Sequence, residues 1–399
     1  MSDKTMICLY TCGGGMRGLI PALIMQRIEE RTGLAMTDMV DIFAGPSTGA
    51  ILNAALNIPH PYQPDRPKYK ARHLVRFYER EGIRIFPRDA FRDFRGLIHD
   101  FNNRLMKIGT LNKLLSHGHY DPANLGRNLR ALYGKAPLSK SLKSLIIPVY
   151  GIDRKNLKAE QLEGESEAAL VHDKATHFQD GGHALWFKNL KFRDKEVSPV
   201  SDVAIYDAIM ASCAAPTYFP CHSFEAQLRG HKTEITGIDG SIFDNVCTTY
   251  MGALRHTLPK DTNLIMIVLG TGRSNRRISK ADWNKFGSLG VVDPANDLPL
   301  INIFFHAAET ALFEAFAEEM GDNFHILNKS LVSGAYKEDF PSTQLDDASP
   351  ESMRRMKNFA EMMVAENYST FETVCDLLVN NHKKKAGKKK KILDYLGID

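Results

Sequence analysis

The sequence predicts an α/β fold built around a mostly parallel central sheet. Short apolar runs, which are typical of buried strands, alternate along the chain with segments whose apolar residues recur at helical spacing. In addition, the first two of these runs end in glycine-containing turns, and each turn is followed at once by a helical pattern. This alternation of strands and helices favours a layered domain in which the helices pack on a parallel sheet.

The first predicted strand, residues 7–10, stops at a run of glycines. Apolar residues then recur on one helix face, at Leu19, Leu23, Ile24 and Ile28, and Gly33 follows the last of them. A second strand at residues 40–44 leads into a turn at 45–49, and residues 50–56 form the helix after it. Both turns therefore lie at the N-terminus of a helix, where free N–H groups favour negative charge.

The rest of the chain continues the alternation. Apolar runs predict further strands at residues 145–151, 264–269 and 324–327. Helical patterns are found at residues 203–211, 300–320 and 350–380. We expect Ser201 or Asp202 to cap the first of these helices, because short polar side chains accept hydrogen bonds from free N–H groups.

The charge of the chain is concentrated near its C-terminus. The formal net charge is +4 over 399 residues, and seven lysines lie between Lys383 and Lys391, so the rest of the chain is slightly acidic. The basic tail at residues 381–399 could contact anionic lipid headgroups or nucleic acid. A solvated, disordered terminus is the simpler interpretation of such a charge run.

Cysteine usage and hydropathy indicate the compartment. The six cysteines are scattered without paired ligand spacing, which predicts free thiols in a reducing compartment and no metal site. No apolar stretch reaches the length of a spanning helix, and no signal peptide opens the chain. We therefore expect a cytoplasmic protein, with peripheral membrane association left open.

Two glycine motifs near the N-terminus point to a serine nucleophile. Gly45-Pro46-Ser47-Thr48-Gly49 matches the G-x-S-x-G elbow, a strained strand-to-helix turn that lifts a serine hydroxyl above a sheet. Upstream lies Gly13-Gly14-Gly15-Met16-Arg17-Gly18, whose backbone N–H groups can converge on an anion because no Cβ blocks the approach. Since a serine nucleophile needs an oxyanion hole, the two motifs together predict one catalytic site.

The motifs alone leave open which residue activates Ser47. An α/β-hydrolase would use a later Asp or Glu and then a His, but its nucleophile normally follows several strands, whereas Ser47 follows only the second. The other class of enzyme uses an Asp that takes the hydroxyl proton directly. An ordinary Asp has a pKa of about 3.9, so it must be tightly positioned and partly desolvated to act as this base.

These motifs and several later blocks resemble the patatin-like phospholipase family, over residues 5–330. Besides the glycine run and the serine motif, the blocks are Phe77-Tyr78-Glu79 with Ile85-Phe86-Pro87, Tyr120-Asp121 leading through Leu142 to Ile146-Ile147-Pro148, Ala211-Ser212-Cys213-Ala214-Ala215-Pro216-Thr217-Tyr218-Phe219-Pro220, and Asp239-Gly240-Ser241 followed by Asn245. The resemblance implies a three-layer α/β/α sandwich in a patatin-like domain at residues 1–330. A C-terminal helical extension at 331–380 and the basic tail would follow it.

The resemblance also implies the site residues. Ser47 and Asp239 would form a Ser–Asp dyad, and the glycine run would form the oxyanion hole. Its members are Gly13, Gly14 and Gly15, with the N–H groups of Gly14 and Gly15 as the expected donors. Further residues of the matching motifs would support the site: Arg17, which would stabilise the loop beside the first helix, and Gly18, Gly45, Gly49 and Gly240.

The chain departs from the family pattern at two positions, and it contains a second candidate for the acid. Ser241 replaces the usual Gly or Ala, and its hydroxyl could crowd the turn or bond to Asp239. Cys12 stands where many relatives have Asp, and we expect it to be a buried structural residue. Asp180-Gly181-Gly182 is a literal Asp-Gly-Gly, but it precedes the block 211–220, whereas the family's acid follows it. Its polar surroundings predict a surface turn.

The activity that the resemblance implies is hydrolysis of fatty acyl esters of phospholipids or lysophospholipids through an acyl-serine intermediate. No metal or other cofactor is expected. A membrane phospholipid substrate implies peripheral membrane contact, no nucleic-acid partner is expected, and an activating partner or ligand stays open. Two alternatives remain: an acyltransferase of the same fold, and a catalytically silent lipid- or membrane-binding protein on the same scaffold.

Overall fold

The protein has a central mixed sheet with helices on both faces. The computed structural model describes residues 4–86, 120–156, 182–191, 203–216, 218–228, 231–273, 278–281, 283–285, 310–331 and 340–396, together with residues 291, 299–300, 303 and 307. No helix within these described residues is both long enough and apolar enough to cross a membrane.

The central sheet has eight strands in the order β10-β9-β1-β2-β5-β8-β7, and β6 also pairs with β5. The strands are β1 (Thr5–Thr11), β2 (Ile42–Ala44), β5 (Ser144–Asn156), β6 (His183–Asn189), β7 (His222–Leu228), β8 (His231–Asp239), β9 (Asn263–Leu269) and β10 (Phe324–Leu327). β10, β9, β1, β2 and β5 run parallel, whereas β6, β7 and β8 join through antiparallel pairs. A separate hairpin consists of β3 (Pro59–His60) and β4 (Gln63–Pro67).

The described helices are α1 (Leu19–Thr32), α2 (Met36–Met39), α3 (Thr48–Leu56), α4 (Ala71–Ile85), α5 (Pro122–Tyr133), α6 (Ile205–Ser212), α7 (Val246–Thr249), α8 (Phe313–Met320), α9 (Pro350–Glu366) and α10 (Tyr368–Leu396). Short 3₁₀ turns lie at Gly15–Gly18, Leu138–Lys140, Gly240–Ile242 and Gly321–Asn323, and a π-helical turn lies at Tyr250–Leu254. The parallel strands β1 and β2 are each followed by a helix, as the sequence predicts.

The two faces of the sheet pack against two separate cores, which makes the fold a three-layer sandwich. In β1, Ile7 and Leu9 belong to a large core that includes side chains of α1, α3, α4, α9 and α10. Cys8 and Tyr10, which alternate with them, belong to a smaller core that includes side chains of α7 and α8. Because successive side chains of a strand point to opposite faces, this division places one helical layer on each side. The predicted α/β/α architecture is confirmed.

The predicted helices agree with the structure only in part. Within the pattern at 300–320, α8 accounts for residues 313–320, and the described residues 300, 303, 307, 310 and 311 are helical as well. The other residues of 301–309 lie outside the described residues, as do the predicted caps Ser201 and Asp202. Helix α6 has Ala204 as its N-cap. Helix α10 continues to Leu396, so the seven lysines of the tail lie on a helix and not in the disordered terminus that the charge run favours. The boundaries at 330 and 380 stay a prediction.

The length of β5 explains how an antiparallel strand reaches the edge where parallel strands end. Only the first residues of β5 pair with β2, with Ile146 opposite Ala44. The strand then continues beyond the end of β2, and β8 pairs with this extension so that its last residue, Asp239, lies opposite Val149. Asp239 is therefore brought to the edge from which the turn after β2 emerges.

Candidate active site

Ser47 lies at the N-cap of α3, in the turn that follows β2. Its backbone has φ 54° and ψ −127°, which is a strained conformation for a residue with a side chain. The two glycines of the motif are required by close packing, since a Cβ on either Gly45 or Gly49 would collide with the carbonyl oxygen of Thr11 at the end of β1. The turn is thus the strained elbow that the sequence motif predicts.

Ser212, in α6, hydrogen-bonds the backbone of the serine turn. The backbone N–H of Ser47 donates a hydrogen bond of 3.0 Å to Ser212 Oγ, and the Ser212 hydroxyl donates one of 2.6 Å to the carbonyl of Pro148. Ser212 is completely buried. Sequence reasoning assigned no role to this serine, although it lies in the block Ala211–Pro220 that resembles the family.

Asp239 lies beside Ser47 and is almost completely buried, with 2% of its surface exposed. Ser47 and Asp239 line the same cavity, and the Ser47 hydroxyl lowers the pKa of the Asp239 carboxylate. Oδ1 of the same carboxylate accepts a hydrogen bond of 2.8 Å from the backbone N–H of Ser241. The backbone N–H of Asp239 in turn donates to the carbonyl of Ala214 at 3.1 Å. A Cβ on Gly240 would collide with the Pro148 carbonyl, so the turn after the acid also needs its glycine.

The surroundings of Asp239 make its carboxylate a stronger base than an ordinary aspartate. Burial raises the pKa of Asp239 to about 6, because the charged form loses its hydration. Hydrogen bonds from the Ser241 backbone and from the Ser47 and Ser241 hydroxyls act in the opposite direction and lower the pKa. The carboxylate is therefore ionised at neutral pH and is available to accept a proton.

The glycine run folds into a loop that lies against the serine and ends in the 3₁₀ turn Gly15–Gly18 before α1. A Cβ on Gly13 would lie 2.5 Å from Ser241 Oγ and 3.3 Å from Ser47 Cβ. Gly15 has φ +56°, and a Cβ there would collide with the carbonyl oxygen of Leu345. Gly18 packs against Thr48 and the hydroxyl of Tyr78. The sequence motif therefore corresponds to a backbone that is closely surrounded on several sides.

Arg17 is 7% exposed and lines the same cavity as Ser47 and Asp239. Its backbone N–H hydrogen-bonds the loop, at 3.1 Å from the Gly14 carbonyl. Among the described residues, neither Nε nor Nη1 of its side chain has a hydrogen-bond partner. Burial lowers the pKa of the guanidinium to about 10, so Arg17 is still cationic at neutral pH. The side chain is thus a buried positive charge, and two of its nitrogen atoms have no partner among the described residues.

The cavity has a volume of about 200 Å³. Its polar end consists of the glycine loop, Ser47, Asp239 and Arg17. Its apolar wall includes residues from the end of α4 and from the segment after α6: Phe77, Ile85, Phe86, Tyr218 and Phe219. Phe86 and Phe219 contact each other with ring centroids 5.7 Å apart. Such a cavity can hold a hydrocarbon chain against its wall and a polar carbonyl at its end.

Asp244 is a second buried carboxylate at the cavity, and sequence reasoning missed it. It accepts hydrogen bonds from the Tyr10 hydroxyl at 2.8 Å, from Trp186 Nε1 at 3.0 Å and from the Thr249 hydroxyl at 2.8 Å. Burial raises the pKa of Asp244 to about 7, against the effect of these donors. With its oxygens occupied by donors, this carboxylate serves to hold the segment after Asp239 on the sheet.

The described residues contain no group of three or more His, Cys, Asp or Glu side chains arranged to hold a metal ion. Cys12 lines the cavity and is partly exposed, so it is less buried than the sequence analysis expects. Asp180, the competing acid, lies outside the described residues. Its role as a surface turn therefore stays a prediction.

Comparison with known proteins identifies the family. The family model described as Patatin-like phospholipase matches residues 9–251, which is more than half of the chain. Patatin-like protein 2 of Oryza sativa subsp. indica is 25% identical over 397 residues, covering 92% of this chain and 85% of that protein. Patatin-like protein 2 of Arabidopsis thaliana is 26% identical over 336 residues, covering 77% and 72%.

Two further matches have lower sequence identity. Patatin-16 of Solanum tuberosum is 21% identical and covers 97% of this chain and 93% of its own length. Among solved structures, VipD from Legionella pneumophila is 12% identical with a TM-score of 0.32, covering 92% of this chain and 67% of that one. On the strength of the family model, the chain belongs to the patatin-like phospholipases, a family of lipid acyl hydrolases.

Proposed function

We propose that the protein hydrolyses fatty acyl esters of phospholipids or lysophospholipids with Ser47 as nucleophile and Asp239 as its base. The observation that carries the proposal is that Ser47, on its strained turn, lines one cavity together with the buried Asp239 carboxylate and the glycine loop. A serine at a strained elbow, a base in the same cavity and a loop of glycine N–H groups are the three parts that acyl transfer needs.

The proposed reaction has two steps. Ser47 Oγ attacks the ester carbonyl carbon while its proton passes to Asp239, and the N–H groups of Gly14 and Gly15 stabilise the negative oxygen of the tetrahedral intermediate. Collapse of this intermediate breaks the ester bond, and the departing alcohol takes the proton from Asp239, leaving an acyl-serine. Water, deprotonated by Asp239, then attacks the acyl-serine. The bond to Ser47 Oγ breaks, Ser47 takes the proton back from Asp239, and the fatty acid is released.

Arg17 favours a phospholipid over a neutral ester as the substrate. Its guanidinium is a buried cation, and Nε and Nη1 have no partner among the described residues. A guanidinium forms paired hydrogen bonds with phosphate oxygens, and these are stronger than bonds between neutral groups. In this proposal the acyl chain lies along the apolar wall, and the phosphodiester lies near Arg17.

The nucleophile is tested by labelling the purified chain with a fluorophosphonate probe and by measuring acid release from phospholipid vesicles. Wild-type protein should label on Ser47 and release fatty acid, and Ser47→Ala should do neither while it unfolds at nearly the same temperature. A wild-type chain that neither labels nor turns over a panel of acyl esters would support the silent scaffold instead.

The substitution Arg17→Met tests the substrate class. Arg31→Met is the control, because Arg31 lies in the last turn of α1 and its side chain is exposed. We expect kcat/KM for a phosphatidylcholine to fall about tenfold to hundredfold, the effect of losing a charge-assisted pair. Turnover of an uncharged short-chain ester should fall much less. Equal losses on both substrates would contradict the phosphate role and would indicate that Arg17 supports the loop only.

A further inference from the structure

The segment after β9 lies beside the glycine loop because of strand register. β1 and β9 pair in parallel, with Thr11 opposite Leu269, so both strands end at the same level of the sheet. The backbone N–H of Cys12 continues this pairing and donates to the Leu269 carbonyl at 3.0 Å. The segments that follow these two strands, the glycine loop and Gly270-Thr271-Gly272, therefore run side by side.

Thr271 contacts the glycine loop directly. Its hydroxyl donates a hydrogen bond of 2.7 Å to the carbonyl oxygen of Gly13. The side chain also packs closely on the next residue, since a Cβ on Gly14 would lie 2.5 Å from Thr271 Oγ1 and 2.8 Å from Thr271 Cβ. Thr271 is 4% exposed and lines the cavity. Gly14 thus leaves the room that the threonine side chain occupies.

The geometry points to Thr271 as a positioning residue of the oxyanion hole, which holds the Gly13–Gly14 peptide so that the Gly14 N–H faces the reacting carbonyl. A trans peptide is planar, and its C=O and N–H groups point to opposite sides. A hydrogen bond that fixes the Gly13 oxygen therefore also fixes the direction of the Gly14 N–H. The inference rests on the proposed function, since it concerns the loop that stabilises the intermediate.

Thr271 is itself held in place by the next strand of the sheet. The Asn328 side chain follows β10, and its Oδ1 accepts a hydrogen bond of 3.0 Å from the Gly272 N–H. The same side chain packs on Gly270, where a Cβ would collide with it. The Arg273 N–H adds a hydrogen bond of 2.8 Å to the Lys329 carbonyl. A rigid support is what a positioning residue needs, because oxyanion donors stabilise charge only when they are already oriented.

The predicted effect concerns the transition state and not substrate binding. The Gly14 N–H would strengthen its interaction only when the carbonyl oxygen becomes negative, so a misdirected N–H should lower kcat and leave KM nearly unchanged. A purely structural threonine would instead lower the stability of the fold or the amount of active enzyme. A smaller fraction of active enzyme would also lower the apparent kcat and leave KM unchanged, so kcat is expressed per active site labelled by the fluorophosphonate probe. Together with thermal unfolding, this value separates the two roles.

The test compares Thr271→Val, which keeps the shape and loses the hydroxyl, with Thr271→Ser, which keeps the hydroxyl. We expect kcat on a soluble acyl ester to fall about tenfold to hundredfold in Thr271→Val, the scale of a displaced catalytic group. Thr271→Ser should stay close to wild type. Thr262→Val is the matched control, since its hydroxyl makes a 2.7 Å hydrogen bond to the Pro259 carbonyl away from the cavity. It should leave kcat unchanged.

A second measurement uses a transition-state analogue. A long-chain trifluoromethyl ketone adds to the nucleophilic serine and places a negative oxygen where the intermediate has one, so its inhibition constant should rise in Thr271→Val by the same factor by which kcat falls.

If Thr271→Val does not fold, Thr271→Ala takes its place against Thr271→Ser. Unchanged kcat and inhibition constant in a folded variant that lacks the hydroxyl would overturn the role of Thr271. Absence of turnover and labelling in the wild-type chain would instead overturn the proposed function, and the positioning role with it.

Discussion

The two sides of the candidate active site are held together in different ways. The serine side consists of Ser47 and Asp239, and its supports, Ser212 and the carbonyl of Pro148, all lie within residues 9–251 that match the family. The glycine loop on the other side is held by Thr271 and by the carbonyl of Leu345, which accepts the Met16 N–H at 2.7 Å. Both of these supports lie beyond residue 251.

This difference teaches that a motif marks the reacting groups but not everything that orients them. The serine turn is stabilised by α6 and by the neighbouring strand β5, both within the residues that match the family. The glycine loop has few side chains of its own, so its direction depends on groups that reach it from the C-terminal part of the chain. The C-terminal part is therefore expected to affect catalysis although the family model does not extend to it.

The largest change in activity that bears on this comparison is expected from a substitution in the glycine loop. Gly15→Ala should lower kcat about a hundredfold or more, the scale of losing an oxyanion donor, because a Cβ there would push the loop away from the Leu345 carbonyl. Gly33→Ala is a matched control: Gly33 also has a positive φ, +71°, but a Cβ there would meet open space.

Steady-state kinetics on one chromogenic ester, together with thermal unfolding, separates the two glycines. Gly33→Ala should cost about 1 kcal/mol of folding stability and no activity, since only its backbone conformation is strained. If Gly15→Ala is as active as Gly33→Ala, the contact with Leu345 does not matter for catalysis, and the two sides of the site do not differ as described.

The serine side predicts a smaller effect, on the pH dependence. Since burial raises the pKa of Asp239 to about 6, kcat/KM should fall as the pH drops through that value and the base becomes protonated. The Ser241 hydroxyl lowers this pKa, so Ser241→Ala should raise the pKa and move the acid limb to higher pH. Ser223→Ala, on the neighbouring strand, removes an exposed hydroxyl and should leave the limb in place. An unmoved limb in Ser241→Ala would show that its hydroxyl does not act on the base.

The smallest effect on hydrolysis is expected from the C-terminal lysines. Replacing Lys388, Lys389, Lys390 and Lys391 by glutamine should weaken binding to vesicles of anionic lipid, mainly at low salt, because salt screens the attraction between lysines and anionic headgroups over about 10 Å at 0.1 M ionic strength. Turnover of a soluble short-chain ester should not change. Vesicle sedimentation at two salt concentrations measures the binding. Equal binding by the wild type and the glutamine variant at low salt would contradict a membrane-binding role of these lysines.

The sequence was most informative where backbone geometry demands particular residues. The elbow at Ser47 needs Gly45 and Gly49 for close packing on Thr11, so a short motif predicts its shape. Continuous apolar runs likewise predict the central parallel strands, which are buried on both faces. The antiparallel strands β7 and β8 were not predicted, because polar side chains alternate with apolar ones along them and no such run exists.

Contacts between distant parts of the chain could not be predicted in this way. Ser212 and Thr271 act through hydrogen bonds to backbone groups that are remote in sequence, and a lone serine or threonine has no distinctive pattern. The place of Asp239 came from the order of blocks in the family and not from its surroundings. The extension of β5 that brings it to Ser47 depends on strand register, which single-sequence patterns do not reveal.

The central claim is that Asp239 is the base for Ser47, and one kinetic comparison tests it most directly. Asp239→Asn keeps the size of the side chain but cannot accept the serine proton, whereas Asp180→Asn makes the same change at the competing Asp-Gly-Gly. On a single chromogenic ester, the rate of acylation should fall by several orders of magnitude in Asp239→Asn and stay near wild type in Asp180→Asn. An active Asp239→Asn beside an inactive Asp180→Asn would contradict the assignment of the dyad.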